Sequence, residues 1–119
     1  MAKIILISCV SKKQSYPTKA EKMYISPLFQ KNMLYAKSLE PDKIFILSAK
    51  HGLLKLDQKI APYDETLNSM QSSAVKEWAR KVLKQLKKQT NIERDEFTFL
   101  AGEKYRKFLT PISHIIKYP

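Results

Sequence analysis

Three apolar runs each end in a cluster of side chains able to do chemistry. IILIS (4–8) ends in Ser8 and leads into Cys9, Ser11, Lys12 and Lys13. IFILSA (44–49) carries Ser48 and leads into Lys50, His51 and Gly52, and FTFLAG (97–102) ends in Gly102 ahead of Glu103, Lys104 and Tyr105. Hydroxyls, a thiol and two ammonium groups after the first run suit a phosphate or a sugar, or else form a basic turn exposed to solvent. SCVSKK has none of the glycine framework of the Walker or dinucleotide loops, so it predicts no nucleotide fold by pattern.

APYDETL (61–67) brings Tyr63, Asp64 and Glu65 together behind Pro62, with Thr66 placed to cap a turn. A carboxylate beside a tyrosine can orient water or steady positive charge on a sugar while the ring stacks on a base. Turn chemistry with Tyr63 packed in the core explains the same residues. Asp64 is the expected catalytic carboxylate, because Glu103, at the start of a helix, already has a use in the helix dipole. Lys50 and His51 complete the expected catalytic set. Ser8, Cys9, Ser11, Lys12, Tyr63, Gly102 and Tyr105 are the expected substrate contacts. Cys9 as a nucleophile would need an activating base, and a lone cysteine at a strand end is more often a small buried hydrophobe. No metal site is expected, since His51 and His114 are far apart and Cys9 is the only cysteine. No cofactor is expected either.

These residues need a frame that holds strand ends side by side. The three runs are nearly continuous rather than alternating, as strands covered on both faces are. Between the first two, Ser26 reads as an N-cap and Pro27 as the first helical residue. Leu28, Phe29, Met33, Ala36 and Leu39 then recur at helical spacing until Pro41. Residues 73–89 form the clearest helix, with Val75, Trp78, Ala79, Val82 and Leu86 on its apolar side. Lys76, Arg80, Lys81, Lys84, Lys87 and Lys88 face away from that stripe, against a single acid, Glu77. A short helix over about 103–109, ended by Thr110 and Pro111, and a fourth strand at 114–118 complete the order. Alternation of strand and helix predicts a small three-layer α/β domain with a mostly parallel sheet of about four strands. Ligands of such sheets bind beyond the strands' carboxyl ends, where all three polar clusters lie. Residues 9–25 and 50–71 read as irregular, the second as a functional loop. The two glycines, Gly52 and Gly102, are expected to mark special backbone positions.

One domain over residues 1–119 fits the length. Twenty-two Lys and Arg against eleven Asp and Glu give +11, and a pI near 9.8. That balance points to a polyanionic partner, DNA or RNA, or to lysine used as the default surface residue. Lys76, Arg80, Lys84, Lys87 and Lys88 are the expected nucleic-acid contacts. One cysteine excludes an internal disulfide, and no apolar run is long enough for a bilayer or shaped as a signal peptide. A cytoplasmic protein with no membrane partner is expected.

SCVSKK, YISPLF, ILSAKHGLL, PYDETL and FLAGEKYRKFL, in this order, resemble a bacterial and phage family of domains of unknown function, over nearly the whole chain. That family is distantly similar to the YaaA peroxide-stress proteins, which are DNA-associated. SCVSKKQSY also resembles the PCSxxKPYS segment of archaeosine synthase, a tRNA base-modifying enzyme. It lacks the leading proline and has Val10 between Cys9 and Ser11. Family members run on with a Gly-containing tail after a Pro, so the resemblance implies either a minimal domain or a tail beyond Pro119.

Two functions follow. One is an enzyme that cleaves or exchanges the N-glycosidic bond of a modified nucleobase, extruded into a pocket at the strand ends. The other is a non-enzymatic basic nucleic-acid-binding domain, linked to stress or to phage. The variety of polar side chains favours the enzyme, because a phosphate binder needs mainly Lys and Arg.

Overall fold

A computed structural model describes residues 2–109 and 115–117, the last three by backbone alone. The Thr110–Pro111 helix stop and His114 lie outside the described residues. Strand β1 (Lys3–Ser8) is central. It pairs in parallel with β3 (Lys43–Ser48) on one side and β6 (Glu96–Leu100) on the other. Ile4, Ile5, Leu6 and Ile7 are all buried, which is why this run does not alternate. The fourth expected strand is β7 (Ile115–Lys117), parallel to β6.

Outside β3 lies a strand that the sequence does not announce, β4 (Gly52–Lys55), antiparallel to β3. The sheet order is therefore β4-β3-β1-β6-β7, a mixed α/β sheet with one antiparallel edge. The stretch expected to be irregular over 50–71 also contains β5 (Lys59–Ile60) and a 3-10 turn at Leu67–Ser69. The stretch over 9–25 contains β2 (Thr18–Lys19), antiparallel to β5, and one helical turn, α1 (Ala20–Met23). It folds back on itself, with Gln14 N–H donating to Met23 O at 2.8 Å and Ile25 N–H to Lys12 O at 3.0 Å. Sequence periodicity misses these pieces because each is only two to four residues long, too short to show a repeat.

Helix α2 (Pro27–Ser38) joins β1 to β3, and α3 (Ser72–Gln89) leads toward β6. The Ser26 side chain accepts from Phe29 N–H at 3.1 Å, closing the N-terminus of α2. That helix stops at Ser38, with Leu39 as its C-cap, and Glu40 just beyond has a φ of 50°, in the left-handed region where glycine is usual. Phe29, Met33 and Ala36 face the core, but Leu28 is 62% exposed, so the expected apolar face is narrower than the sequence suggests. In α3 the whole expected stripe is buried. From β1 the chain crosses to β3 in one direction, and from the β3–β4 hairpin it returns past β1 to β6 in the other. Right-handed crossovers in opposite directions place α2 and α3 on opposite faces and cover the sheet twice. Neighbours β1 and β6 lead off in opposite directions, to β3 and to β7, so the crevice beyond their carboxyl ends is the topological switch point.

Candidate functional site

A cleft of about 730 Å³ opens at that switch point. This lies within the roughly 300–1,000 Å³ of small-molecule sites. Three segments build it. The end of β1 supplies Ser8, Cys9 and Ser11, with Lys13 beyond; the loop before the 3-10 turn supplies Asp64, Glu65 and Thr66; and the segment after β6 supplies Gly102, Glu103, Lys104 and Tyr105. Leu28 and Asn68, which sequence reading did not connect with the site, also line it.

The cleft floor is held from below. Cys9 and Tyr105 are both buried, and their Sγ and hydroxyl lie 3.4 Å apart. Tyr105 stands edge-on to Trp78 of α3, with ring centroids 5.6 Å apart. Burial, then the Cys9 sulfur, pushes the Tyr105 hydroxyl above the ordinary tyrosine range, so it stays protonated. Tyr105 sits on α4 (Glu103–Arg106), a single turn. One turn has little dipole, so the helix-start role expected for Glu103 is weak, and that carboxylate faces the cleft instead. Lys104 donates to the carbonyls of Leu67 at 3.3 Å and Asn68 at 3.1 Å, tying α4 to the 3-10 turn. Thr66 caps that turn by accepting from Asn68 N–H at 3.2 Å. Asp64, Glu65 and Glu103 are exposed, and none has a side-chain hydrogen bond or ion pair among the described residues.

Four of the expected site residues stand outside the lining: Lys12, Lys50, His51 and Tyr63. Tyr63 is buried in a chain of hydroxyls, with its oxygen 2.6 Å from that of Tyr24 and accepting from Ser48 Oγ at 2.8 Å. Burial raises both phenols far above their usual range and keeps them as donors. Ser48 Oγ in turn accepts from the backbone N–H of His51 at 3.0 Å and of Lys50 at 3.3 Å.

Helix α3 fastens the same turn from outside. Trp78 Nε1 donates to Ser48 O at 2.7 Å, Lys81 Nζ to Lys50 O at 3.2 Å and Gln85 Nε2 to His51 O at 3.1 Å. Gln85 Oε1 accepts from Leu53 N–H at 2.8 Å. Gly52, at φ +76°, leaves room for that amide: a Cβ there would lie 2.3 Å from Gln85 Oε1. Gly102 has no such constraint, with φ −65° and open space where a Cβ would be. The backbone of the Lys50–His51 turn is thus engaged in structure. Lys50 points to solvent, and the His51 ring stands edge-on to Tyr63 at 5.5 Å. Desolvation, then Lys50 and Lys81, lowers the His51 pKa below the ordinary 6.5, and its buried Nε2 has no partner among the described residues.

Lys13 takes the place that sequence reading gave to Lys12. Its backbone bridges to Tyr24, and its ammonium lies 4.5 Å from the Tyr63 ring centroid, within cation–π range. On α3, Lys76, Arg80, Lys84, Lys87 and Lys88 are all exposed. Arg80 pairs with Glu77, and Lys76 lies over the Phe108 ring at 5.4 Å. Among the described residues no group of three or more His, Cys, Asp or Glu side chains is placed to hold a metal ion. No helix among them is long and apolar enough to cross a membrane.

Residues 4–118 match the family of unknown function DUF6884, and the chain belongs to that family. It is 31% identical over 119 residues to the uncharacterized protein YfjM of Bacillus subtilis (strain 168), an alignment covering 94% of this chain and 77% of that one. No solved structure matches the chain.

Proposed function

We propose that this member of DUF6884 is an enzyme that cleaves or exchanges the N-glycosidic bond of a modified nucleobase in DNA or RNA. The observation that carries this reading is the unpaired Asp64 carboxylate in a cleft of nucleoside size at the switch point of the sheet. Loss of a base builds positive charge on the sugar, which a nearby anion stabilises, and the same carboxylate can take a proton from attacking water. Ser8, Ser11 and Lys13 offer hydroxyls and an ammonium to the sugar and phosphate, while Tyr105 offers a ring edge and a neutral hydroxyl at the floor. Lys50 and His51 act indirectly, through Ser48 and Tyr63, by fixing the turn beneath the cleft. The resemblance of SCVSKKQSY to a segment of archaeosine synthase, and of the chain to the YaaA proteins, supports a nucleic-acid substrate.

The test is base release from a panel of modified DNA and tRNA by the purified protein. Asp64→Asn should lower turnover by roughly 10²–10³-fold, while the unfolding midpoint and nucleic-acid affinity stay unchanged. Wild-type turnover in Asp64→Asn would refute the role. The second reading, a binding domain without catalysis, is favoured by one feature, the exposed basic side of α3. It prevails if the chain binds these nucleic acids and releases no base from any of them.

A further inference from the structure

The charge of the cleft runs against the charge of the chain. The protein carries +11, yet Asp64, Glu65 and Glu103 all line the cleft with no ion pair among the described residues. Two lysines share the lining, Lys104 held by two backbone carbonyls and Lys13 over the Tyr63 ring, so three carboxylates stand against two ammonium groups. These carboxylates are too dispersed for a metal ion. Spread around a cavity of this size, they suit a cation whose charge is delocalised over a ring.

We infer that the cleft takes a nucleotide whose base is positively charged, an N-alkylated purine or pyrimidine, in preference to its neutral counterpart. This rests on the reading of the cleft as a nucleobase site. The chemistry agrees with the lining. Removing a neutral base requires an acid to protonate it as it leaves, and among the described residues no histidine, the usual residue for that task near neutral pH, lines the cleft: His51 lies outside it. The Tyr105 hydroxyl is held in its protonated form by burial. A cationic base needs no such acid. When its C1′–N bond breaks, the electron pair passes to the ring, cancels the ring's charge, and the base leaves neutral. Water adds its oxygen to C1′ and gives its proton to the Asp64 carboxylate, and from there to solvent.

The experiment is equilibrium binding of 7-methylguanosine 5′-monophosphate and guanosine 5′-monophosphate, below the pH at which the methylated base loses its charge. The wild-type protein should bind the methylated nucleotide about tenfold more tightly. Glu65→Gln/Glu103→Gln should bring the two affinities together, with its unfolding midpoint confirming an intact fold. Equal affinities in the wild-type protein, no binding of either nucleotide, or a preference that survives the double variant would each overturn the inference. A preference for the methylated nucleotide without base release from any nucleic acid would support the inference and refute the enzymatic reading. Base release from neutral modified bases alone would do the reverse.

Discussion

Ser48 anchors both the β3–β4 turn and the tyrosine chain, so its removal should cost far more than one hydroxyl usually does. It is fully buried, and its Oγ accepts from His51 N–H and Lys50 N–H and donates to Tyr63. Ser48→Ala strands the His51 N–H without another partner, at about 1–3 kcal/mol. It also removes a buried bond to Tyr63 worth about 1 kcal/mol, and the 3.3 Å contact to Lys50 adds less. The expected loss is about 2–4 kcal/mol. Tyr63→Phe leaves the hydroxyls of Ser48 and Tyr24 short of a partner, at about 1–3 kcal/mol. In the double variant the Ser48–Tyr63 bond is lost only once, so the two effects should fall short of their sum by about 1 kcal/mol. Denaturant unfolding of the four proteins, fitted with a common slope, measures this. A Ser48→Ala protein within about 0.5 kcal/mol of wild type, or two effects that simply add, would refute the reasoning.

Stability should fall with acid through His51. Its folded pKa is depressed by desolvation and by Lys50 and Lys81, so the unfolded chain binds more protons as pH drops below 6.5. Its contribution is complete above 6.5 and is lost as pH falls toward the folded value; His51→Gln should flatten that part of the pH profile of the unfolding midpoint. Glu40→Gly should stabilise by about 1 kcal/mol, because a φ of 50° strains any residue with a Cβ; thermal unfolding reads this out. If the α3 surface binds nucleic acid, changing Lys76, Arg80 and Lys84 to Gln should reduce the log–log salt slope by about 2, since Arg80 is already engaged by Glu77. An unchanged slope in a salt titration would leave that surface without a role in binding.

The sheet and two of its helices were legible because burial on both faces writes itself locally. IILIS, IFILSA and FTFLAG are continuous because α2 and α3 cover the sheet twice, and Val75 through Leu86 keep helical spacing because one side of α3 meets the sheet. Gly52–Lys55 gave no such signal. It follows a turn with no Asn-Gly or Asp-Gly pair, and Gln85, 32 residues beyond Leu53, completes its hydrogen bonds. The cleft was legible in outline, since its segments follow strands or precede a predictable turn. Which lysine faced it was not. The bridge between Lys13 and Tyr24 sets that choice, and it depends on how residues 12–25 fold back. Nor could the sequence show that α3 side chains would tie down Lys50 and His51, because those bonds join segments about 30 residues apart.

The central place of β1 has a consequence for biosynthesis. The first strand made needs a partner on each side, and both are made after it: Ile5 pairs beside Ile44 on one side and beside Thr98 on the other. At roughly 5–20 residues per second, the ribosome takes roughly 5–20 s to deliver β6 after β1 has been made. Throughout that interval an apolar strand with a free edge is exposed on the nascent chain. The cleft cannot exist before then, because Ser8 and Tyr105 meet only when the last parallel neighbour docks. A stalled chain ending before residue 96 would carry every expected catalytic residue and no site, together with an aggregation-prone edge that a chaperone must cover.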